Sequence, residues 1–384
     1  MAELNISSHI SSNNTDSAPI PRTMLRAFMV LTLILILMPV VACDDTSNSD
    51  NGGGDDGGGM DGGDDMGGDM GGGDGGSGLV ESGGTLPDDP ETFSYVTGGS
   101  ERQTVDFYRI AGVDLPTEAS RGVIEAGKRP VLVWFHGGGW VINDKTNIEP
   151  IAFEIAELAG FHLVSVGYRL ADPAGSQDPW PGMIHEVKSA IRWLKLNSEM
   201  LDIDPNYIIT TGESAGAHLA AMIALSAGVQ ELEGSVNPGA SSDVAGAVLF
   251  YGPYEFDTIV DQGLDLVLDG TCSVDTLNPL AVWALLDCPV PDNVLDPLSG
   301  CSAMELMEAS PVTHVDGADP PVFAASGTDD CFVPFRQVFD LQNALNSANV
   351  PNEISVTNGG EHDVETLNVS AQQVVDFLDE NLGK

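Results

Sequence analysis

Basic side chains are scarce in this sequence of 384 residues, which has 14 Lys and Arg against 58 Asp and Glu and a formal net charge of −44. Proteins that bind nucleic acid or anionic membranes through surface charge neutralise phosphate groups with Lys and Arg. An acidic surface repels those phosphates instead. The composition therefore argues against charge-driven binding of nucleic acid or anionic membranes and favours high solubility.

Residues able to build a hydrophobic core are almost absent from the first 80 positions, apart from one apolar run at 24–41. The stretch 44–78 consists mainly of Gly, Asp, Met and Ser, which bury too little surface to offset the entropy of ordering. We expect 44–80 to be a disordered linker that tethers the following domain. Calcium binding by the Asp-Gly repeats is the alternative, but they lack the regular period of calcium-binding repeats.

The apolar run Met24 to Val41 has Arg22 and Arg26 near its start and is followed by Ala42 and Cys43. Positive charge, then a short apolar stretch, then small residues predict a signal peptide over 1–43. The sequence VVAC at 40–43 resembles the bacterial lipobox, which implies cleavage before Cys43 and lipid on that residue. We therefore expect an exported lipoprotein anchored in a bacterial cell envelope. Secretion, or an uncleaved N-terminal transmembrane helix, is the alternative.

The remaining roughly 300 residues, 81–384, are a common size for one α/β domain. Continuous apolar runs at 131–135, 163–168 and 244–250 are typical of strands covered on both faces. Strands that alternate with helices predict a mostly parallel sheet with helices on both sides. An alternating segment, 103–110, predicts an antiparallel edge strand. Further strands are predicted at 207–211, 321–325 and 353–356, helices at 148–158, 183–196, 217–227, 335–345 and 369–382, and an inserted cap-like segment at 252–312.

The pentapeptide Gly-Glu-Ser-Ala-Gly at 212–216 stands between a β-branched run and an Ala-rich, helix-like run. A strand, a tight turn and a helix in succession form the context of a nucleophile elbow. Such a turn strains the backbone of Ser214, and glycines on either side let the neighbouring strand and helix approach closely. A structural turn is the alternative, but the strand-to-helix position favours a catalytic serine.

Acyl transfer by a serine needs a base and a group that orients the base. Of the seven histidines, His362 is the candidate base, because it lies in the loop between the last predicted strand and the last predicted helix. The orienting acid is expected after the preceding strand, where Asp329 and Asp330 are both available. The other histidines are expected to be structural or remote: His9, His136, His162, His185, His218 and His314.

Three consecutive glycines, 137–139, follow the predicted strand at 131–135. Without Cβ atoms, their N–H groups can approach the oxyanion that develops during acyl transfer. We expect the donors to be Gly138, Gly139 and Ala215, which follows the serine. A phosphate-binding turn is the alternative, but the dinucleotide-binding spacing and a P-loop lysine are both missing.

Cys272, Cys288, Cys301 and Cys331 remain when Cys43 is set aside, an even number for an exported domain. We therefore expect two disulfides, for which three pairings are possible. Cys272–Cys288 would cross-link the insertion and Cys301–Cys331 would connect its exit to the acid loop, but the sequence does not determine the pairing. The histidines and cysteines show no zinc-ligand spacing, so neither a metal nor a cofactor is expected.

Several ordered motifs from about Val105 to Leu382 resemble the α/β-hydrolase superfamily, and most closely esterases of the BD-FAE-like (bifunctional carbohydrate/feruloyl esterase) and hormone-sensitive-lipase-like kinds. The resemblance implies that the acid of G-x-x-D is Asp330, that the base is His362, and that HGGG supplies the oxyanion donors. The motifs are HGGGW at 136–140, YRLAD at 168–172, IHEVKSAIRWL at 184–194, IDPNYIITTGESAGAHLAAM at 203–222, SPVTHV at 310–315, GTDDCFVP at 327–334 and GGEHD at 359–363.

The resemblance implies a serine ester hydrolase that acts through an acyl-enzyme on short-chain acyl esters, with acetyl or feruloyl groups on polysaccharide as plausible substrates. YRLAD in place of YRLAPE, and GESAG in place of GDSAG, depart from hormone-sensitive-lipase relatives without removing a reacting group. A serine peptidase of the same fold and a catalytically silent surface binding protein are the alternatives.

Overall fold

The computed structural model describes residues 84–111, 128–172, 180–273, 280–288 and 298–382. The predicted signal peptide at 1–43 and linker at 44–80, including Cys43, lie outside these ranges. Within them, no helix has both the length and the apolar character needed to cross a bilayer.

Eight strands form one sheet in the order β1-β2-β4-β3-β5-β6-β7-β8. The pairs β1–β2 and β2–β4 are antiparallel, and every later pair is parallel. The strands are β1 Glu91–Ser94, β2 Thr104–Tyr108, β3 Arg129–Phe135, β4 His162–Val166, β5 Ile203–Glu213, β6 Gly246–Phe250, β7 Val322–Gly327 and β8 Asn352–Thr357. The predicted, mostly parallel sheet is confirmed.

The segment predicted as an edge strand, 103–110, is antiparallel but does not lie at the edge. β1 pairs with its outer side, so that β2 lies between β1 and β4. The short sequence Glu91–Ser94 is mostly exposed and lacks an apolar run, which is the signal by which the other strands were found.

Ten helices are described: α1 Pro150–Ala159, α2 Gly182–Leu196, α3 Ser198–Leu201, α4 Ala215–Leu225, α5 Gln230–Glu233, α6 Phe256–Leu268, α7 Leu280–Leu286, α8 Ala303–Glu308, α9 Arg336–Ala348 and α10 Ala371–Asn381. Short 3-10 turns add Pro311–His314 and Val364–Thr366.

Both faces of the sheet are covered, because side chains alternate along its central strands. On β3, Val131, Val133 and Phe135 belong to one core cluster, while Leu132 and Trp134 belong to the other. Helices α2, α4 and α9 bury their apolar residues in the first cluster, and α1 and α10 in the second. All seven residues of β3 are buried. Each large aliphatic side chain buried in this way contributes about 1.5–3 kcal/mol.

Because β3, β5 and β6 are parallel, the residues that follow them lie together at the carboxyl ends of the strands. Phe135 pairs with Gly212, and Glu213 pairs with Phe250. The Gly-rich turn after β3 and the serine turn after β5 therefore lie beside each other, as ligand-binding loops do in such sheets.

The insertion between β6 and β7 is built from α6, α7 and α8 in the part that the structure describes. Its three cysteines and Cys331 form the two expected disulfides, but they do not pair as Cys272–Cys288 and Cys301–Cys331. Cys272 bonds to Cys331 and Cys288 bonds to Cys301. The ion pair between Asp265 of α6 and Arg336 at the start of α9 likewise connects α6 to the segment that follows β7.

Candidate active site

Ser214 lies in the turn between β5 and α4 with a backbone φ of 52° and ψ of −121°. This positive φ is strained for a residue with a side chain. The turn is held because the N–H of Ser214 donates to the carbonyl of Phe250 at 2.9 Å, and its carbonyl accepts from His218 at 3.1 Å. The tight turn predicted for this pentapeptide is therefore present.

The glycines at 212 and 216 permit a close crossing of β3 over the serine turn. A Cβ on Gly212 would lie 2.5 Å from the carbonyl oxygen of Phe135, and a Cβ on Gly216 would overlap the same oxygen. Real Cβ atoms do not approach backbone oxygens this closely. Neither position accepts a larger residue without moving β3 away from the serine.

His362 faces Ser214 from the loop after β8. Its Nε2 atom lies 3.0 Å from Oγ of Ser214, and its Nδ1 atom lies 2.7 Å from Oδ2 of Asp330. A carboxylate accepts hydrogen bonds, so Nδ1 carries the hydrogen and donates it to Asp330. The lone pair of Nε2 is thereby directed at the serine hydroxyl, which donates to it.

Asp330 is fully buried and is the third residue of the loop after β7. Its second oxygen, Oδ1, accepts the N–H groups of Phe332 at 2.9 Å and Val333 at 2.8 Å. Asp329, the other candidate, is exposed and accepts the hydroxyl of Thr328 instead. The structure therefore places Asp330, rather than its neighbour, against the histidine.

The electrostatic surroundings of His362 favour its protonated form. Burial lowers the pKa of His362, but the carboxylates of Asp330, Glu213 and Asp363 outweigh burial and raise this pKa above its usual 6.5. Negative groups close to an imidazole stabilise the imidazolium that forms when it takes a proton. The site is thus electrostatically suited to a proton acceptor at this position.

The turn after β3 carries the predicted oxyanion donors. Gly138 and Gly139 have φ values of 106° and 56°, and the carbonyl of Gly138 closes the turn by accepting from Val141 and Ile142. Within the described ranges, the N–H groups of both glycines have no hydrogen-bond partner. Ala215 is the first residue of α4, and the first N–H groups of a helix have no acceptor within the helix. These three predicted donors are therefore free to meet a ligand.

A small pocket of about 40 Å³ opens onto Ser214 and His362. Ile259 and Val282 of the insertion contribute to its wall, so the segment expected to fold over the sheet does reach this site. Its lining residues are Gly139, Trp140, Ser214, Ala215, Pro253, Ile259, Val282, Phe332, Val333 and His362. The lining is mostly apolar, as is usual for small-molecule pockets.

Sequence reasoning did not identify the pocket wall or the role of Glu213. Trp140 and Phe332 stand inside the quoted HGGGW and GTDDCFVP motifs, and this position next to candidate site residues was the available signal. Ile259 and Val282 carry no such signal, because the insertion has no motif. Glu213, the second residue of GESAG, accepts the N–H of Gly137 at 2.9 Å.

The other described histidines bond to the backbone instead of to the serine. His136 is buried, stacks on Tyr168 at a centroid distance of 4.2 Å, and donates from Nδ1 to the carbonyl of Gly137 at 2.8 Å. Burial lowers its pKa to about 4. His185, His218 and His314 donate to the carbonyls of Glu231, Ala309 and Glu308, and His162 accepts from Ile110.

No group of three or more His, Cys, Asp or Glu side chains in the described part of the chain has the arrangement of a metal site. The arrangement that does exist is a hydroxyl, an imidazole and a carboxylate in a hydrogen-bonded series, next to free amides. Residues 123–345, more than half of the chain, match the family model described as BD-FAE. The chain belongs to the BD-FAE family. Its sheet and helices are those of the α/β-hydrolase fold.

Curated relatives of this BD-FAE protein carry ester hydrolase names. The probable carboxylic ester hydrolase LipM of Mycobacterium tuberculosis is 31% identical over 55% of this chain and 43% of its own length. Esterase LipQ of the same organism is 32% identical over 58% of this chain and 47% of its own length. The chain thus spans about half the length of the curated relatives that it matches.

Among solved structures, a truncated form of a carbohydrate esterase from gut microbiota superposes with a TM-score of 0.57 at 22% identity. The superposition covers 77% of this chain and 98% of the other. At this level of identity the likeness shows the shared fold alone.

Proposed function

We propose that this BD-FAE protein is a serine ester hydrolase. The observation that carries the proposal is the hydrogen-bonded series from Ser214 Oγ through His362 to Asp330, with distances of 3.0 and 2.7 Å. A serine hydroxyl is a weak nucleophile unless a base removes its proton. Each member of the series has the partner that this role requires.

In the first half of the reaction, Oγ of Ser214 forms a bond to the carbonyl carbon of the ester while Nε2 of His362 takes the hydroxyl proton. The electron pair of the carbonyl π bond moves onto oxygen, where the N–H groups of Gly138, Gly139 and Ala215 bind it. Asp330 holds the imidazole ring and stabilises its positive charge.

The carbon–oxygen bond to the alcohol then breaks, and the alcohol leaves with the proton from His362. An acyl group remains on Ser214. In the second half, the oxygen of a water molecule bonds to the acyl carbon while His362 takes a proton from the water. The bond between the acyl carbon and Oγ of Ser214 then breaks, His362 gives its proton to Oγ, and the carboxylic acid leaves.

The substrate class we propose is short-chain acyl esters, including acyl groups carried on carbohydrate. The pocket beside Ser214 has a volume of about 40 Å³ and a wall formed in part by Trp140 and Phe332. This size suits an acetyl group better than a long fatty acyl chain. The solved relative from gut microbiota is itself named a carbohydrate esterase.

The proposal is tested by measuring hydrolysis of p-nitrophenyl acetate by the parent protein and by Ser214→Ala. We expect turnover by the parent, loss of at least 1000-fold in the variant, and covalent labelling of the parent alone by a fluorophosphonate. Ser165→Ala is the matched control, because its hydroxyl lies in β4 and donates to the carbonyl of Lys145. Equal turnover by the parent and Ser214→Ala contradicts the proposal.

We also propose that the protein is exported as a lipoprotein anchored through Cys43. The support is the sequence alone, in which the apolar run at 24–41 leads directly into the lipobox-like sequence VVAC at 40–43. Metabolic labelling with a fatty acid is expected for the parent and absent for Cys43→Ser. Unchanged labelling of the variant contradicts the anchor without affecting the proposed reaction.

A further inference from the structure

Glu213 is the last residue of β5 and stands immediately before Ser214. Its Oε1 atom accepts the N–H of Gly137 at 2.9 Å. The carboxyl group also lies so close to Gly137 that a Cβ there would overlap it. The Glu213 side chain thus occupies the space that a side chain at position 137 would fill, and it holds the peptide at which the Gly-rich turn begins.

This contact matters for the oxyanion donors because the turn is short. The peptide after Gly137 supplies the N–H of Gly138, and the next supplies the N–H of Gly139. Both glycines have positive φ, and glycine backbones are freer to rotate than those of other residues. A fixed point at Gly137 therefore limits the directions in which the two amides can face.

Glu213 also interacts with the hydroxyl of Tyr251, the residue that follows β6. The ring of Tyr251 lies 4.6 Å from the ring of His362, centroid to centroid. Tyr251 has a φ of 39°, an uncommon conformation for a residue with a large side chain. The Glu213 carboxylate is thus hydrogen-bonded to the turn after β3 and interacts electrostatically with the tyrosine that packs against the base.

Burial raises the pKa of Glu213, whereas His362, the N–H of Gly137 and Tyr251 lower it. In its ionised form, Glu213 acts on His362 through its negative charge. Burial lowers the pKa of His362, and Asp330, Glu213 and Asp363 raise it. Of these carboxylates only Asp330 is hydrogen-bonded to the ring, so Glu213 acts through space. The titratable groups that face Glu213 itself are Glu149, Tyr168, Tyr251, His362 and Asp363.

We infer that Glu213 is a positioning residue for the proposed ester hydrolysis, on which this inference rests. Its carboxylate oxygen holds the turn that carries the Gly138 and Gly139 amides. Its negative charge stabilises the imidazolium of His362 that forms when Ser214 attacks. The Glu213 side chain thereby acts on both the oxyanion donors and the base.

Two substitutions separate the two effects. Glu213→Gln has the same shape and keeps an oxygen that can accept from Gly137, but it removes the charge. Glu213→Ala removes both the oxygen and the charge. Glu361→Gln is the matched control, because Glu361 is exposed and stands next to His362 in sequence, yet it is not among the carboxylates that raise the His362 pKa.

The measurements are the pH profile of kcat/KM for p-nitrophenyl acetate, kcat and KM separately, and the inhibition constant of an aryl trifluoromethyl ketone. That ketone adds Ser214 Oγ to its carbonyl carbon, and its oxygen becomes the anion that the turn amides bind. Its affinity therefore reports the oxyanion donors more directly than the affinity for an ester does.

For Glu213→Gln we expect the acid limb of the profile to move to lower pH. We expect its ketone affinity to weaken by less than about 10-fold, because the adduct also contains the imidazolium that the charge stabilises while Gln keeps the contact with Gly137. For Glu213→Ala we expect the same movement, a kcat lowered roughly 10- to 100-fold and a ketone affinity at least 10-fold weaker, with little change in KM. Glu361→Gln is expected to match the parent in every measurement.

Parent-like kcat and ketone affinity in Glu213→Ala overturn the role in the turn. An acid limb that does not move in Glu213→Gln, or that moves equally in Glu361→Gln, overturns the role of the charge. If Glu213→Ala does not fold, Glu213→Gln still tests the inference. Ketone affinity that is at least about 10-fold weaker in Glu213→Gln contradicts it, because Gln keeps an oxygen that can accept from Gly137.

The proposed function fails separately. A parent protein that neither hydrolyses the ester nor takes a fluorophosphonate label removes that function, whatever Glu213 does. When the parent is active and Ser214→Ala is not, the Glu213 variants test only the inference made for Glu213.

Discussion

Nε2 of His362 lies 3.0 Å from Oγ of Ser214, although 148 residues separate the two along the chain. The serine stands after β5 and the histidine after β8, and the acid that bonds to the same ring stands after β7. Because three different strand ends supply the series, its geometry depends on how the sheet is assembled. The expected effects of substitution follow from the role of each contact.

Asp330→Asn is expected to lower kcat roughly 1000- to 10,000-fold while the fold is retained. An amide at this position can donate to Nδ1 of His362 and so favours the wrong tautomer of the ring. Asp329→Asn is the control, since its side chain is exposed and bonds to Thr328. The measurement is kcat of both variants with p-nitrophenyl acetate. A larger loss of kcat in Asp329→Asn than in Asp330→Asn would show that Asp329 is the acid that orients His362.

The rate is expected to fall as the pH is lowered through the pKa of His362, because only the neutral ring accepts the serine proton. Burial lowers this pKa, but Asp330, Glu213 and Asp363 raise it above 6.5. The acid limb of kcat/KM is therefore expected above pH 6.5, with a plateau at higher pH.

Asp363→Asn tests the source of that shift. An asparagine still caps the 3-10 turn Val364–Thr366 as Asp363 does, but it lacks the charge. We expect its acid limb at lower pH than that of the parent, while Asp88→Asn, an exposed substitution before β1, leaves the limb in place. Identical profiles for Asp363→Asn and the parent rule out this electrostatic explanation.

Gly138→Ala is expected to lower kcat about 100- to 1000-fold, the usual cost of losing an oxyanion donor. Alanine keeps the N–H group, but the turn must shift to make room for the Cβ, and the N–H then no longer faces the oxyanion. The added Cβ would lie 2.7 Å from the carbonyl oxygen of Ile142, at a φ of 106°. Gly239→Ala is a close control, because Gly239 has a φ of 107° but nothing within 4 Å of an added Cβ. Both variants carry backbone strain, so a thermal melt should show destabilisation in each, and kcat should fall only in Gly138→Ala.

Loss of the Cys272–Cys331 bond is expected to cost more stability than loss of Cys288–Cys301. The first closes a loop with a sequence separation of 59 and the second one of 13, for which chain entropy predicts about 4 and about 3 kcal/mol. Urea unfolding of the two double Cys→Ser variants gives these values.

Only the Cys272–Cys331 pair is also expected to affect the reaction. Cys331 directly follows Asp330, and Phe332 after it lines the pocket. A lower kcat in Cys272→Ser/Cys331→Ser, with parent-like kcat in Cys288→Ser/Cys301→Ser, is the expected result. Equal kcat in both would mean that the bond does not support the acid loop.

Much of the fold was predictable because its signals are local. Val131–Phe135 is an uninterrupted apolar run and becomes a fully buried strand. The apolar residues at helical spacing over 183–196 become α2, Gly182–Leu196. Glu91–Ser94 was missed because this exposed strand owes its place to pairing with β2, and no local pattern encodes a partner.

The amino-acid sequence by itself determined the turn chemistry and the set of reacting groups, since GESAG after a strand, HGGG after another and a histidine in the last loop are patterns of neighbouring residues. The family resemblance implied that Asp330 serves His362, and the structure shows the two hydrogen-bonded. Only the tertiary structure decided that Cys272 meets Cys331, that Glu213 meets Gly137 and that the insertion reaches the pocket. Local periodicity and turn geometry act between residues close in the chain. Distances between remote residues follow from how strands pair and helices pack, and neither is readable from one segment at a time.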